Sequence, residues 1–127
     1  GIYDRESQTM LSTYETLVTG GARLQWGDLT AKSTTIGVVL TNANITKAQA
    51  LKVSQMAHDG FARAINPVHT MFDGDTVFTL ATGKFAADTT VVGSVGAQAM
   101  QAAVINAVKA ARTLGNAVAW QDLKHLA

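Results

Sequence analysis

The sequence predicts a mixed α/β domain of the α+β kind, and three observations carry that prediction. The first is a β-branched apolar run, Thr35-Ile36-Gly37-Val38-Val39-Leu40-Thr41, followed by an amphipathic helical segment. The second is a run that alternates strictly, Thr76-Val77-Phe78-Thr79-Leu80-Ala81-Thr82. The third is a long segment of alanine, valine and methionine at helical spacing behind it. Strand patterns interleaved with helical ones are the signature of βα units.

The elements follow in order. Gly20-Gly21 and Gly27-Asp28 are turn signals. Residues 10–18 predict a short helix whose face is diluted by Ser12, Thr13 and Thr16. The run 35–41 has the composition of a strand buried on both faces. Gly37 within it marks a bulge or a close approach by another backbone. Thr46 with Gln49 three residues on forms a capping box, so a helix is expected over 47–65. Its apolar face is Ala50, Val53, Ala57, Phe61 and Ala64. Pro67 stops it by disfavouring helical angles at Asn66. Residues 76–82 have the period of a strand, and Gly83 is expected to end it. A loop through Asp88, Thr89 and Thr90 leads to a helix over 95–114, with Gly115 as its left-handed cap. That helix shows one narrow polar stripe, Gln98, Gln101, Lys109 and Arg112, and is therefore expected to be buried on several sides.

Composition narrows the function. Of 127 residues, 47% are hydrophobic and 15% charged, against roughly 25% charged in ordinary globular chains. The chain thus carries more apolar surface than its length conceals, and some faces are expected to be covered by something else. Ten Lys and Arg against nine Asp and Glu give a net charge of +1 without a basic cluster. Nucleic acid is excluded as a partner, because neutralising phosphates requires a concentrated cationic face. With no cysteine there is no disulfide scaffold, thiolate zinc site or cysteine nucleophile. Neither a secretion signal nor an apolar run of about 20 residues is apparent, so no membrane partner is expected. The expectation is a soluble, cytoplasmic unit.

The densest group of unusual residues is Pro67-Val68-His69-Thr70-Met71-Phe72-Asp73-Gly74-Asp75-Thr76. In an extended backbone, Asp73 and Asp75 would point to the same side. Two adjacent carboxylates repel, so at least one needs a donor, a cationic partner or a raised pKa. The plainer alternative is turn chemistry, with Asp73 capping an Asp-Gly turn. His69, Asp73 and Asp75 would leave a metal's coordination shell unfilled, and no metal is expected. Ser33-Thr34-Thr35, at the start of the first buried strand, places hydroxyls that by pattern alone are strand-compatible or cap a turn.

Taken together, Thr34-Thr35-Ile36 through Thr41-Asn42, the helix, Pro67-Val68-His69-Thr70 and Phe72-Asp73-Gly74-Asp75-Thr76 resemble the self-processing aminopeptidase family. That family includes the L-aminopeptidase/D-Ala-esterase/amidases, the β-aminopeptidases and the endo-type 6-aminohexanoate oligomer hydrolases. The resemblance runs from Thr34 to about Leu114 and is most specific over 67–83. It implies part of an αββα sandwich similar to N-terminal-nucleophile hydrolases. It implies a precursor that cuts itself into a large α chain and a small β chain, whose new N-terminal residue is the nucleophile. The matching position is Thr34, with Asp73 and Asp75 as its acidic partners and Ser33-Thr34 as the self-cleavage site.

On this reading residues 1–33 end the α-chain region, residues 34–127 form the β-chain region, and the upstream α-chain region is absent. The implied partners are a small peptide or amide substrate, the missing α-chain segment and further copies in a homo-oligomer, with no cofactor. Ser33 stands where the oligomer-hydrolase branch usually has asparagine. The alternative is a catalytically silent assembly subunit of the same fold. An acyltransferase of the ornithine acetyltransferase type is disfavoured by Lys32-Ser33-Thr34-Thr35-Ile36. His69 is expected to tie the turn to the strand. His58 and His125 are expected in solvent or at interfaces, and Trp26 and Trp120 outside the regular core elements.

Overall fold

The computed structural model describes residues 2–4, 6–19 and 34–123. The turn signals near residues 20 and 27, together with Trp26, Ser33 and His125, lie outside them. The chain divides into two compact units, residues 31–104 and residues 1–30 with 105–127.

The larger unit is built as β3 (Ile36–Ala43), α2 (Lys47–Ala64), β4 (Thr76–Phe85) and the first part of α3 (Thr89–Ala110). β3 and β4 pair in parallel, with Ile36 opposite Thr76 and Leu40 opposite Leu80. The capping box forms as expected: Thr46 accepts from the Gln49 amide at 3.3 Å, and the Thr46 amide donates to Gln49 Oε1 at 2.8 Å. Helix α2 ends one residue before the expected boundary, and the Asn66–Pro67 peptide bond that follows is cis.

One face of this sheet is covered. Val53, Ala57 and Phe61 of α2 and Ala97 and Met100 of α3 are buried, and Val39 and Val77 of the strands pack with them. α2 and α3 approach closely at small residues. A Cβ added to Gly60 would collide with the Ala97 carbonyl oxygen and stand 2.7 Å from Met100 Cβ. A half-buried polar link, Ser54 Oγ to Thr79 Oγ1 at 2.7 Å, joins α2 to β4.

Several expectations are corrected. β3 is buried on one face only, because its side chains alternate and both helices lie over the Gly37, Val39 side. Gly37 admits Met100 Cε and the Phe61 ring rather than a backbone, and the pairing irregularity falls between Thr41 and Ala43. Gly83 does not end β4: at φ +72° it lies within a strand that runs on to Phe85. α3 starts six residues early, because the Asp88 carboxylate caps the Thr90 and Val91 amides at 2.8 and 3.2 Å. It is not buried on several sides either. Gly93, Gly96, Ala97 and Met100 form its one buried stripe, while Val91, Val95, Ile105 and Val108 are exposed. Contrary to expectation, its 22 residues are long and apolar enough to cross a membrane by length and composition. One stripe of the helix packs on α2 and β3, where Gly96 meets Val39 and Val53.

In the smaller unit, β1 (Ile2–Asp4) and β2 (Thr9–Leu11) pair antiparallel, with Tyr3 opposite Met10. The Asp4 carboxylate accepts from the Glu6 and Ser7 amides and so holds the turn between them. Helix α1 (Thr13–Val18) begins only where Ser12 accepts from the Glu15 amide. Met10 and Leu11 therefore belong to a strand, and Ser12 is a cap rather than a diluted helical position. Gly115 takes a left-handed φ of +57°, yet it turns the chain between Leu114 and Ala117 after α3 has ended at Ala110. Trp120 opens a short 3-10 turn (Trp120–Asp122), and the Lys109 ammonium lies 5.9 Å from its ring centroid.

Candidate active site

The sequence-predicted residues converge where β3 and β4 begin. β3 is preceded by Thr34 and Thr35, and β4 by Gly74 and Asp75. Parallel pairing at Ile36 and Thr76 brings the two lead-in segments side by side. The Thr76 amide donates to the Thr35 carbonyl at 2.9 Å, extending the ladder by one bond. Asp75 makes the second link across the same step: its Oδ1 accepts from the Thr35 amide at 2.9 Å. Thr34 is exposed, and its Oγ1 stands 3.1 Å from where a Cβ on Gly74 would be. A side chain at position 74 would therefore press on that hydroxyl.

The two aspartates have different partners. Asp73 Oδ2 accepts from the Thr70 amide at 2.7 Å, and the Asp73 amide returns to the Thr70 carbonyl at 3.1 Å. Asp73 thus closes the turn over 70–73 that precedes it, rather than an Asp-Gly turn. The Asp75 side chain is 5% exposed and reaches His69, whose Nδ1 lies 2.8 Å from Oδ2. Close as that contact is, it lacks hydrogen-bond alignment, and Oδ2 has no other partner. Burial pushes the Asp75 carboxyl up, but the Thr35 amide and hydroxyl together with His69 outweigh it and hold the group below its ordinary value. Asp75 is a carboxylate at neutral pH.

His69 ties the turn to the strand as expected, and does so from a left-handed backbone, φ +54°. His58 was expected in solvent or at an interface. It instead packs its ring edge-on against His69 at 4.9 Å and Phe61 at 5.7 Å between centroids. The signal for this was in the sequence: His58 and Phe61 are three apart on one helix and share a face. Among the described residues no group of three His, Cys, Asp or Glu is placed to hold a metal. A shallow depression of about 410 Å³ at Leu40, Thr41, Asn42 and Thr82 lies at the other end of the strands.

This is a strand-start cluster of hydroxyl, carboxylate and imidazole. Residues 4–119 match the model of Peptidase family S58, and the chain belongs to that family. It is 49% identical over 73 residues to an uncharacterized aminopeptidase of Mycobacterium leprae, covering 58% of this chain and 20% of that protein. It is 35% identical over 106 residues to an uncharacterized aminopeptidase of Mycobacterium tuberculosis, covering 72% of this chain and 31% of that protein. To the 6-aminohexanoate-oligomer endohydrolase of Paenarthrobacter ureafaciens it is 31% identical over 92 residues, 62% of this chain and 26% of that protein. The chain therefore spans between 20% and 31% of the length of these curated relatives.

Proposed function

We propose that this chain is the nucleophile-bearing part of an amide or peptide hydrolase that matures by cutting itself before Thr34. In maturation, the Thr34 hydroxyl oxygen attacks the Ser33 carbonyl carbon and the hydroxyl proton passes to the departing amide nitrogen. The product is a Ser33 ester on the Thr34 oxygen. Water then hydrolyses that ester, releasing the Ser33 carboxylate and a free α-amine on Thr34. In turnover the same amine takes the hydroxyl proton while the oxygen attacks the substrate amide, so nucleophile and base are one residue. The leaving amine receives the proton, and water hydrolyses the acyl-enzyme ester. Asp73 and Asp75 would hold the ammonium form, or a lysine from the upstream segment, in register. The substrate is a small peptide or an ω-amino acid amide, and the working enzyme is a cytoplasmic homo-oligomer completed by the upstream segment.

The observation that supports this reading is the double tie at the start of β3. The residue after Thr34 is held through both its amide and its carbonyl, by Asp75 and Thr76. A nucleophile leaving a strand so fixed has a defined direction, which is what intramolecular attack and later turnover both require. The names of the relatives, aminopeptidase and oligomer endohydrolase, agree with amide chemistry.

Intact mass of the full-length precursor tests the reading. The wild type is expected to split before Thr34 and Thr34→Ala to remain whole and inactive. A processed or active Thr34→Ala protein would end the proposal, and an uncut, inactive wild type would favour the silent assembly subunit.

A further inference from the structure

The proposed chemistry leaves His69 without a task, yet the residue occupies the centre of a chain of contacts that runs from the site to α2. We infer that His69 is a positioning residue: it holds the Asp75 carboxylate, and through it the Thr35 amide and the direction of Thr34. The inference rests on the Thr34 reading above.

Three observations carry it. The first is the state of Asp75. Its side chain is nearly sealed from solvent, Oδ1 is taken by the Thr35 amide, and Oδ2 has only the His69 imidazole beside it. A buried carboxylate oxygen without a partner is costly. Without the imidazole, Asp75 would rotate toward water or take up a proton, and either change loosens its grip on Thr35. A small rotation of the ring would align its Nδ1–H, 2.8 Å from Oδ2, as the donor that this oxygen lacks.

The second observation is the backbone. His69 stands at φ +54°, a left-handed conformation that few non-glycine residues adopt, histidine and asparagine among the commoner of them. The third is the seat of that ring. It packs against His58 and lies 6.3 Å from Phe61 between centroids, and Phe61 is fully buried in the core. The core of α2 therefore sets the imidazole plane, the imidazole sets the carboxylate, and the carboxylate sets the strand start.

The test uses the full-length protein and two substitutions at one position. His69→Gly suits the left-handed backbone but removes the donor; His69→Asn also tolerates that backbone and keeps an N–H donor. Self-cleavage is followed by intact mass, and kcat and KM are measured on an aminoacyl anilide. His69→Gly is expected to slow self-cleavage and lower kcat about tenfold or more with KM within about twofold, as a misdirected nucleophile should. His69→Asn is expected to recover most of that loss. In an Asp75→Asn background, His69→Gly should change the rate less than about twofold, since the two residues act as one unit.

A His69→Gly enzyme with wild-type kcat, or losses that simply multiply in the double variant, would overturn the inference. Should His69→Gly fail to fold, the proton spectrum of the wild type decides. A downfield Nδ1–H signal of His69 that vanishes in Asp75→Asn supports the coupling, and its absence in the wild type defeats it. Failure of the Thr34 reading is distinguishable, because it appears as a processed Thr34→Ala protein whatever His69 does.

Discussion

The two faces of the β3–β4 sheet are made from the same two strands and from similar residues, yet they meet different surroundings. On one face Gly37, Val39 and Val77 lie under Ala57, Phe61 and Met100. On the other, Ile36, Val38, Leu40, Phe78 and Leu80 are between 50% and 74% exposed. Residue type does not separate the faces; the helices do. α2 connects two parallel neighbours and so must lie on one side of them, and α3 joins it there through the small residues Gly60, Gly93 and Ala97. Parallel sheets are ordinarily covered on both faces. In the proposed hydrolase, the open face is where a second sheet would pack.

Three substitutions in the 127-residue chain break or sharpen that contrast. Phe61→Ala removes the largest fully buried side chain of the covered face and is expected to cost about 3–5 kcal/mol. The measurement is the urea midpoint at constant slope, and a loss under about 1 kcal/mol would mean that the covered face is loosely packed. Gly60→Ala should cost about 1–3 kcal/mol, because its methyl meets the Ala97 backbone and one helix must move. A neutral result would show that α2 and α3 are not in contact at that point. Leu80→Thr on the open face should change stability by no more than about 0.5 kcal/mol. A loss several times larger would show that copies of the chain bury that face against one another, which sedimentation of the same sample would reveal directly.

Much of the local structure was legible. The Thr46–Gln49 capping box and the alternation over 76–82 are short-range signals, read from residues that act on their neighbours, and both elements start where expected. Boundaries went wrong where a side chain overruled a pattern. Asp88 started α3 early, and Asp4 folded Met10 and Leu11 back into a strand. Gly115 took the left-handed conformation foreseen for it but spent it on a turn beyond the helix end.

The candidate site divides the same way. Asp-Gly signalled local turn chemistry at Asp73, but the turn that Asp73 closes runs back to Thr70 rather than on through Gly74. That Asp75 binds the Thr35 amide could not be read, because the two are forty residues apart and meet only when β3 and β4 pair in parallel. His69 was legible as a tie between turn and strand; its seat against His58 and Phe61 required the packing of α2 on the sheet. By itself the sequence determined β3, α2 and β4 and where each starts to within a residue, because capping, alternation and branching act over a few residues. Only the tertiary structure decided which face of the sheet is covered and which carboxylate holds the strand start. Both depend on contacts between residues that the chain keeps far apart until it folds.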